Sequence, residues 1–299
     1  MDAERTKDTV TLPMDVIREI FEFAARGAPD LALTLLLVSP ESCEWISALL
    51  YRTIIMSREE IQPKGFPHAC NNKLVDLYAP KVRHILLDSD GTQHQESGHF
   101  IISNLHKFTN AAHISIRSEK AISIESLSII HPPHLSLSAT AILKLVHPTE
   151  RTLPSVSAFL NMTHLQILAW TFTFPNPKRW ESWQGLADLP QLTHLAFPYD
   201  NSQFKGDYFR QDLMPGALKN CKKLRVFMFR ITWMNHSLQG DPCRLYTDDK
   251  DPTVHPDHRV VVFVCSYVGE WLHGVRGGKN AWDMAEEVVA ARESHKSGL

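Results

Sequence analysis

A helical period of apolar residues begins directly after Leu12. Pro13 suits the first position of a helix, where its missing N–H is not needed. The following apolar residues share one side of the helix and charged residues occupy the other; the apolar side consists of Val16, Ile17, Ile20, Phe21 and Ala24. Gly27, followed by Pro29, is typical of a helix end. The pattern therefore predicts an amphipathic helix that ends near residue 27.

Two further short helices are predicted before residue 51. Leu31, Leu35 and Val38 have helical spacing, and Ser39-Pro40 can end this helix and cap a third one, which carries Trp45, Ile46, Leu49 and Leu50. Three helices this short are marginal alone and depend on tertiary packing. Their surplus of large apolar residues indicates a surface for a partner protein. A helical cap on the following domain is an equally open interpretation.

From residue 79 onward, apolar residues recur weakly at the first, fourth and sixth places of short segments. The central residues of these segments are Ile85, Ile114, Leu135, Leu168, Leu195 and Phe227, at intervals of 29, 21, 33, 27 and 32 residues. These intervals lie in or somewhat above the range of leucine-rich repeats, in which each repeat adds one short strand and neighbours bury one another's faces. Alternating strands of any α/β fold could produce the same matches.

Further segments can be assigned between and after these strands. Helical spacing recurs at 97–108, 138–146 and 209–220, and Pro215-Gly216 interrupts the last of these segments. The polar stretch 240–258 predicts a solvated loop. Residues 259–265 predict a buried strand. Asn280 then starts a helix whose apolar face carries Trp282, Ala285, Val288 and Val289. This last helix is expected to cap the repeat region, as solenoids require.

Three N-terminal segments resemble an F-box, most closely those of the large F-box families of mushroom-forming fungi. The segments are residues 12–21 (LPMDVIREIF), residues 35–39 (LLLVS), and Trp45 with residues 49–54 (LLYRTI). The stretch from Arg259 through Trp271 to Trp282 is similar to the C-terminal tail of the same proteins. The resemblance implies that the N-terminal helices bind the Skp-type linker protein of a cullin ubiquitin ligase. The implied contact residues are Leu12, Pro13, Ile17, Ile20, Phe21, Val38 and Trp45.

Composition narrows the function classes. The 299 residues are 43% hydrophobic and 21% charged, which argues against general disorder. A net charge of −2 provides no field for nucleic acid or acidic membranes. The longest purely apolar runs fall far short of the roughly 20 residues of a membrane-spanning helix, and residues 1–10 lack the apolar core of a secretory signal. We therefore expect a cytoplasmic or nuclear protein with no nucleic-acid or membrane partner, whose 5 cysteines are reduced.

Catalytic motifs are missing from the sequence. It contains no Gly-x-Ser-x-Gly elbow, no phosphate-binding loop and no Gly-x-Gly-x-x-Gly. The closest histidine pairs, at 131/134 and 255/258, contain prolines that disfavour a helical metal site. His84, His113, His164 and His194 precede or adjoin predicted strands, which suggests surface positions and not ligands. We predict no catalytic residue, no metal ligand and no cofactor.

The predicted fold class is α+β, with a three-helix F-box followed by an irregular α/β leucine-rich-repeat-like solenoid. The predicted organisation is a disordered segment 1–11, an F-box-like module 12–56, a linker 57–78 and a recognition region 79–295 with a capping helix. The expected function is that of a substrate-recognition adaptor in a Skp–cullin–F-box ubiquitin ligase. It would dock the linker protein through the F-box and an unknown target through the repeat surface. The alternatives are an interaction scaffold without a degradation role, and an α/β enzyme with an N-terminal helical cap.

Overall fold

A computed structural model describes residues 12–56, 72–88, 95–117, 124–139, 141–142, 159–168, 180–198, 209–232, 243–246 and 256–296. The chain divides into two compact units between Arg52 and Thr53. Segment 1–11, predicted to be disordered, lies outside the described residues, as does most of the predicted linker 57–78. The predicted module 12–56 extends past this division, because Thr53–Met56 is the first strand of the second unit.

The first unit contains the three predicted helices: α1 (Met14–Gly27), α2 (Pro29–Leu35) and α3 (Pro40–Leu50). Ser39 caps α3, because its hydroxyl accepts a hydrogen bond from the Ser42 N–H at 3.1 Å. The Ser42 hydroxyl oxygen in turn accepts from the Ser39 N–H at 2.9 Å. This reciprocal capping box satisfies two N–H groups that the helix leaves without a partner. The capping role predicted for Ser39 is confirmed.

The core of the first unit is small. Ala25, Ala32 and Ile46 are buried, and partly buried apolar residues surround them: Phe21, Leu35, Leu36 and Leu49. Two of the three central residues are alanines, so the helices approach closely but bury little side-chain area. Such a core leaves most of the large apolar side chains of this unit outside it.

The second unit is built on a nine-stranded sheet in the order β1-β2-β3-β4-β5-β6-β7-β9-β8. The strands are β1 (Thr53–Met56), β2 (His84–Asp88), β3 (His113–Arg117), β4 (His134–Leu137), β5 (His164–Ile167), β6 (His194–Pro198), β7 (Val226–Thr232), β8 (Cys243–Leu245) and β9 (Val260–Cys265). All neighbours pair in parallel except β8 and β9. The chain is therefore an α/β protein with N-terminal helices, which corrects the predicted α+β class. The predicted buried strand at 259–265 is confirmed as β9.

Helical segments lie between the parallel strands. They are α4 (Asn72–Tyr78), α5 (Gln95–Ser103), α6 (Ile124–Ile130) and α7 (Met214–Asn220), with 3₁₀ turns at Ala79–Lys81, Leu105–Lys107 and Trp180–Asp188 and a π-helical turn at Phe209–Leu213. The helical prediction for 97–108 is confirmed in outline, and that for 138–146 lies mostly outside the described residues. Pro215 sits in the first turn of α7, where a proline is tolerated, and does not interrupt the helix as predicted.

One apolar position repeats along the sheet. Ile54, Ile85, Ile114, Leu135, Leu165, Leu195, Phe227 and Val260 are register partners on neighbouring strands, at intervals of 31, 29, 21, 30, 30, 32 and 33 residues. The prediction of Leu168 as a central residue is wrong, because Leu165 holds that place and Leu168 follows the end of β5. Met162, Leu165 and Ile167 have the same spacing as the predicted segment. Only strand pairing therefore shows which of the two sets occupies the repeated positions.

This apolar position lies on one face of the sheet and is fully buried. Each of the eight side chains is at most 2% exposed. Trp183, in the 3₁₀ turn before β6, packs edge-on against Phe197 of β6 with ring centroids 5.3 Å apart. Aromatic pairs of this geometry add to the stabilisation from burial alone.

Two C-terminal helices cover the opposite face of the sheet. They are α8 (Tyr267–Val275), which the sequence pattern did not reveal, and α9 (Ala281–Lys296), which confirms the helix predicted after Asn280. Trp271 of α8 packs with Leu86 of β2, and Trp282 of α9 packs with strands β6 to β9. The C-terminal region therefore lies on a face of the sheet, whereas a cap beyond the last repeat was predicted. The reason is burial, since this face would otherwise expose the apolar residues Leu86, Met228 and Phe263.

A disulfide joins Cys243 of β8 to Cys265 of β9, which are directly opposite each other in the antiparallel pair. The expectation that all cysteines are reduced is therefore corrected. Cross-strand neighbours have Cβ atoms close enough to be bridged, and this proximity cannot be read from a separation of 22 residues in sequence. β8 also interrupts the predicted loop 240–258, most of which lies outside the described residues.

Candidate functional site

The outer side of α1 is an exposed apolar stripe. Val16, Ile20 and Phe23 are 37%, 51% and 77% exposed. Their spacing of four and three residues places them on one side of the helix. Leu12, just before the helix, is also exposed. A stripe of large apolar residues in this arrangement can fill a groove of a partner protein.

Charged residues border this stripe. The Glu22 carboxylate accepts hydrogen bonds from Arg18 and Arg26, each at 2.7 Å. The hydrogen bond from Arg18, together with the charges of both arginines, holds the pKa of Glu22 below its usual value. Glu19 also lies beside the stripe. An apolar centre with a charged rim is the usual arrangement of a protein–protein interface.

A second group of exposed apolar residues follows along α2 and the turn after it. The group consists of Leu31, Leu33, Leu37 and Val38, of which Leu37 is 86% exposed. Leu50, at the end of α3, is also exposed. A unit of this size therefore presents far more apolar surface than its core requires, which favours a partner for it.

The seven residues that the F-box resemblance implies as contacts are placed differently from one another. Leu12, Pro13, Ile20 and Val38 are exposed, and Ile17 is partly buried. Phe21 and Trp45 pack edge-to-face at 6.3 Å, and Phe21 borders the small core. Phe21 and Trp45 thus support the unit from within, although both keep partial exposure.

Sequence reasoning missed Phe23, Leu33 and Leu37. Phe23 could have been found, because it lies seven residues after Val16 and therefore on the same side of α1. Leu33 and Leu37 carry no such signal, because α2 has only seven residues and Leu37 lies in the turn after it.

A row of histidines crosses the face of the sheet that α8 and α9 cover. His84, His113, His134, His164 and His194 are the first residues of β2 to β6 and are register partners. The rings of His134 and His164 stack at 4.0 Å between centroids, and those of His164 and His194 at 3.9 Å. Four of these residues were predicted to be surface positions beside the strands; each in fact begins a strand, and His194 is buried whereas His84, His113 and His164 keep partial exposure. We call these five residues the histidine row.

Two tryptophans from the C-terminal helices pack on the histidine row. The Trp271 indole N–H donates a hydrogen bond to Nε2 of His113 at 3.1 Å. The Trp282 ring meets His164 and His194 edge-on, with centroids 5.3 and 5.6 Å apart. Each of the two helices therefore places one tryptophan on the row, at opposite ends of it.

The environment of four members of the histidine row, His113, His134, His164 and His194, favours their neutral form. Burial lowers the pKa of His113 well below its usual value, and the neighbouring histidines act in the same direction. Burial likewise lowers the pKa of His134 and of His164, and it lowers that of His194 to about 4, with Arg225 adding to the effect. Stacked imidazoles of this kind cannot be charged together without strong repulsion.

Hydrogen bonds define the tautomer of two members. The Thr163 hydroxyl donates to the Pro133 carbonyl oxygen at 3.1 Å, so it accepts from Nδ1–H of His164 at 2.8 Å. Thr193 forms the same arrangement with the Thr163 carbonyl oxygen and with Nδ1–H of His194. Nε2 therefore carries the lone pair in both rings.

A buried ion pair lies under α8. Arg230 of β7 donates to the Glu270 carboxylate at 2.8 Å, and both side chains are buried. The other carboxylate oxygen of Glu270 accepts from the Ala281 N–H at 2.8 Å, at the start of α9. This carboxylate therefore links the sheet, α8 and α9.

Comparison with protein-family models, with curated proteins and with solved structures finds no match. Within the described ranges, no group of three or more His, Cys, Asp and Glu side chains could hold a metal ion. No helix in those ranges is long and apolar enough to cross a membrane. The F-box resemblance stays a prediction, and the geometry of the first unit is what bears on it.

Proposed function

We propose that this protein is a substrate-recognition adaptor of a Skp–cullin–F-box ubiquitin ligase. Its first unit would bind the Skp-type linker protein, and its second unit would hold a target protein. The adaptor would act by positioning, since holding a target near the transfer machinery raises the effective concentration of the target's lysines.

The observation that carries this proposal is the exposed apolar surface of the first unit. The unit is compact by itself, its core is formed by a few small residues, and Val16, Ile20 and Phe23 stay outside that core. The alternative interpretation, a helical cap on the next domain, predicts that the second unit buries these side chains. Docking of an amphipathic helix into a partner's groove buries them instead.

The second unit is suited to the receptor role that we propose. Seven strands follow each other in chain order and in parallel register, with one apolar position recurring about every 30 residues. This regularity supports an irregular leucine-rich-repeat-like solenoid. Because α8 and α9 cover parts of one strand face, we propose that a target binds where these helices leave the unit's surface accessible.

The decisive experiment measures binding of the full chain to a purified Skp-type linker protein by isothermal titration calorimetry. Ile20→Asp places a charge on the exposed stripe without entering the core, unlike a substitution of Phe21. We expect it to weaken binding by at least about 30-fold, which corresponds to about 2 kcal/mol at an interface centre. The matched control is Ile129→Asp in α6, because Ile129 is 52% exposed and Ile20 is 51% exposed.

Far-UV circular dichroism and thermal unfolding of both variants establish that the fold is retained. Loss of binding by Ile20→Asp alone would support the docking role. No binding by a folded wild-type chain would contradict the ligase proposal altogether. Binding without ubiquitin transfer to any captured protein in a reconstituted ligase would leave a scaffold as the better description.

A further inference from the structure

The hydrogen bond between Trp271 and His113 can exist in only one charge state. An indole N–H is a donor and has no acceptor, so Nε2 of His113 must carry a lone pair to receive it. A protonated imidazole has N–H groups at both nitrogens. Protonation of His113 would therefore place two donors against each other at a contact that is 3.1 Å long.

The opposite end of the histidine row contacts α9 in a different way. Nε2 of His194 lies 3.1 Å from a carboxylate oxygen of Glu286 on α9, and that carboxylate also meets Arg225 at 3.3 Å. With the proton on Nδ1, the lone pair of a neutral His194 faces this carboxylate. The Trp282 ring meets His164 and His194 edge-on, so this contact of α9 does not depend on a histidine lone pair. Burial and Arg225 also lower the pKa of His194 to about 4, so its ring stays neutral to a lower pH than an ordinary histidine.

We propose that His113 and Trp271 form an acid-sensitive latch that holds α8 on the sheet only while His113 is neutral. Acidification would release α8 from β2 and β3 and uncover Leu86 and Ser115, while α9 stays in place. This conformational switch goes beyond the proposed adaptor function and does not depend on it.

The groups that face His113 favour its neutral form. His84 and His134 flank it on neighbouring strands, and Arg230 acts on it from β7. On α8, Glu270 is engaged by Arg230 and by the Ala281 N–H, and the Tyr267 hydroxyl is bonded to Ser115. The pKa of Tyr267 is raised by burial, so this hydroxyl stays uncharged. The charged groups that face His194 are Glu286 and Asp283, both on α9, and Arg225.

The test follows the indole N–H signals of the full ¹⁵N-labelled chain by nuclear magnetic resonance from about pH 7.5 to about pH 4. Trp271→Phe and Trp282→Phe assign the two signals. We expect the Trp271 signal to move towards that of a solvent-exposed indole only well below pH 6.5, the usual pKa of histidine, because burial lowers the pKa of His113. The Trp282 signal and the far-UV circular dichroism should stay unchanged over the same range.

His113→Gln is the informative variant, because its amide oxygen accepts the indole N–H at every pH and does not titrate. We expect it to lower the midpoint of the Trp271 change by at least about one pH unit, a tenfold change in proton affinity. His106→Gln is the control, since His106 is exposed and lies outside the histidine row. It should leave the midpoint unchanged.

Two results would overturn the latch. One is a Trp271 signal that changes only together with the Trp282 signal and the circular dichroism, which is global acid unfolding. The other is a His113→Gln midpoint equal to that of the wild type. If His113→Gln does not fold, amide hydrogen exchange of the wild type decides. The latch then requires that, at about pH 4, the backbone amides of 267–275 exchange at least about tenfold faster than those of 281–296, after correction for intrinsic exchange rates.

Discussion

At the scale of single residues, position within a strand sets the charge of the histidine row. Parallel pairing places equivalent residues of neighbouring strands about 4.8 Å apart, so five strands that each begin with histidine must bring their imidazoles together. Burial under α8 and α9 then removes water from these rings. Both effects disfavour protonation, and neither is a property of an isolated histidine.

The ion pair of Arg230 and Glu270 leads to a prediction about stability. Glu270→Gln leaves the Arg230 guanidinium buried without a counter-charge. We expect the free energy of unfolding to fall by about 3–5 kcal/mol, because an uncompensated buried charge is costly. Urea unfolding at neutral pH measures this change.

The control is the exposed pair of Lys279 and Glu287, whose charged atoms lie 2.6 Å apart. Glu287→Gln should change the free energy of unfolding by less than about 1 kcal/mol, since solvent screens this pair. Equal effects of the two substitutions would show that burial does not increase what the Arg230–Glu270 pair contributes to the free energy of unfolding. The double variant Arg230→Met/Glu270→Gln should recover part of the loss, because it leaves neither charge alone.

At the scale of elements, small residues allow α9 to lie close to the sheet. Ala281 and Ala285 are fully buried, and Trp282 and Val289 complete the same side of the helix. These positions follow a helical period and pack on Met228, Val261 and Phe263. The helix is therefore held by shape and apolar burial along its length, and its start is fixed by a cap.

The cap at Asn280 gives a prediction for this element. The Asn280 side-chain oxygen accepts from the N–H groups of Trp282 and Asp283, at 2.8 and 3.1 Å. Asn280→Ala removes both bonds and should lower the free energy of unfolding by about 1 kcal/mol, measured by urea unfolding. Ser294→Ala is the control, because that hydroxyl only donates to the Ala290 carbonyl oxygen within the exposed last turn. A larger effect for Ser294→Ala would contradict the capping role.

At the scale of the whole molecule, the two units follow different rules of burial. In the first unit the core consists mainly of alanines and one isoleucine, and large apolar residues stay outside. In the second unit both faces of the sheet carry buried residues, and the chain's own C-terminal helices cover one of them. The first unit therefore exposes large apolar side chains, whereas the described strands of the second unit are largely buried.

The pKa directions in the histidine row predict how stability depends on pH. The pKa values of His113, His134, His164 and His194 are lowered in the folded chain, so the unfolded chain takes up protons first as the pH falls. The stability that depends on these neutral histidines is complete above pH 6.5, the ordinary histidine pKa. It is lost progressively as the pH falls below that value. A histidine that stays neutral in the fold costs roughly 2 kcal/mol between pH 6.5 and pH 5.

Urea unfolding at about pH 7.5, 6 and 5 measures this dependence, and we expect a loss of several kcal/mol over that range. His164→Phe removes one titrating group from the middle of the row and should reduce the slope. A free energy of unfolding that stays constant from about pH 7.5 to about pH 5 would be incompatible with the lowered pKa values of these four histidines.

Much of the local structure follows from the sequence. The helical periods at 13–27 and 280–289, the cap at Ser39 and the continuous apolar run of β9 each depend on neighbours within a few residues, and the structure confirms them. The recurring apolar position was also visible, although one of its members was assigned to Leu168. Such features are local because backbone dihedral angles and side-chain direction repeat over two to four residues.

Tertiary structure alone decided the rest. Strand pairing placed Leu165, and not Leu168, at the recurring apolar position. It also brought the five separate histidines into one row, in which the rings of His134, His164 and His194 stack. Packing divided the apolar residues of α1 between Phe21, at the core, and Phe23, in solvent. It also brought Trp271 and Cys265 to partners far along the chain, His113 and Cys243. The sequence by itself determined those helices and strands whose pattern depends on near neighbours, whereas α8 and β8 were found only in the structure. Which surfaces meet depends on how apolar residues from the whole chain are buried together.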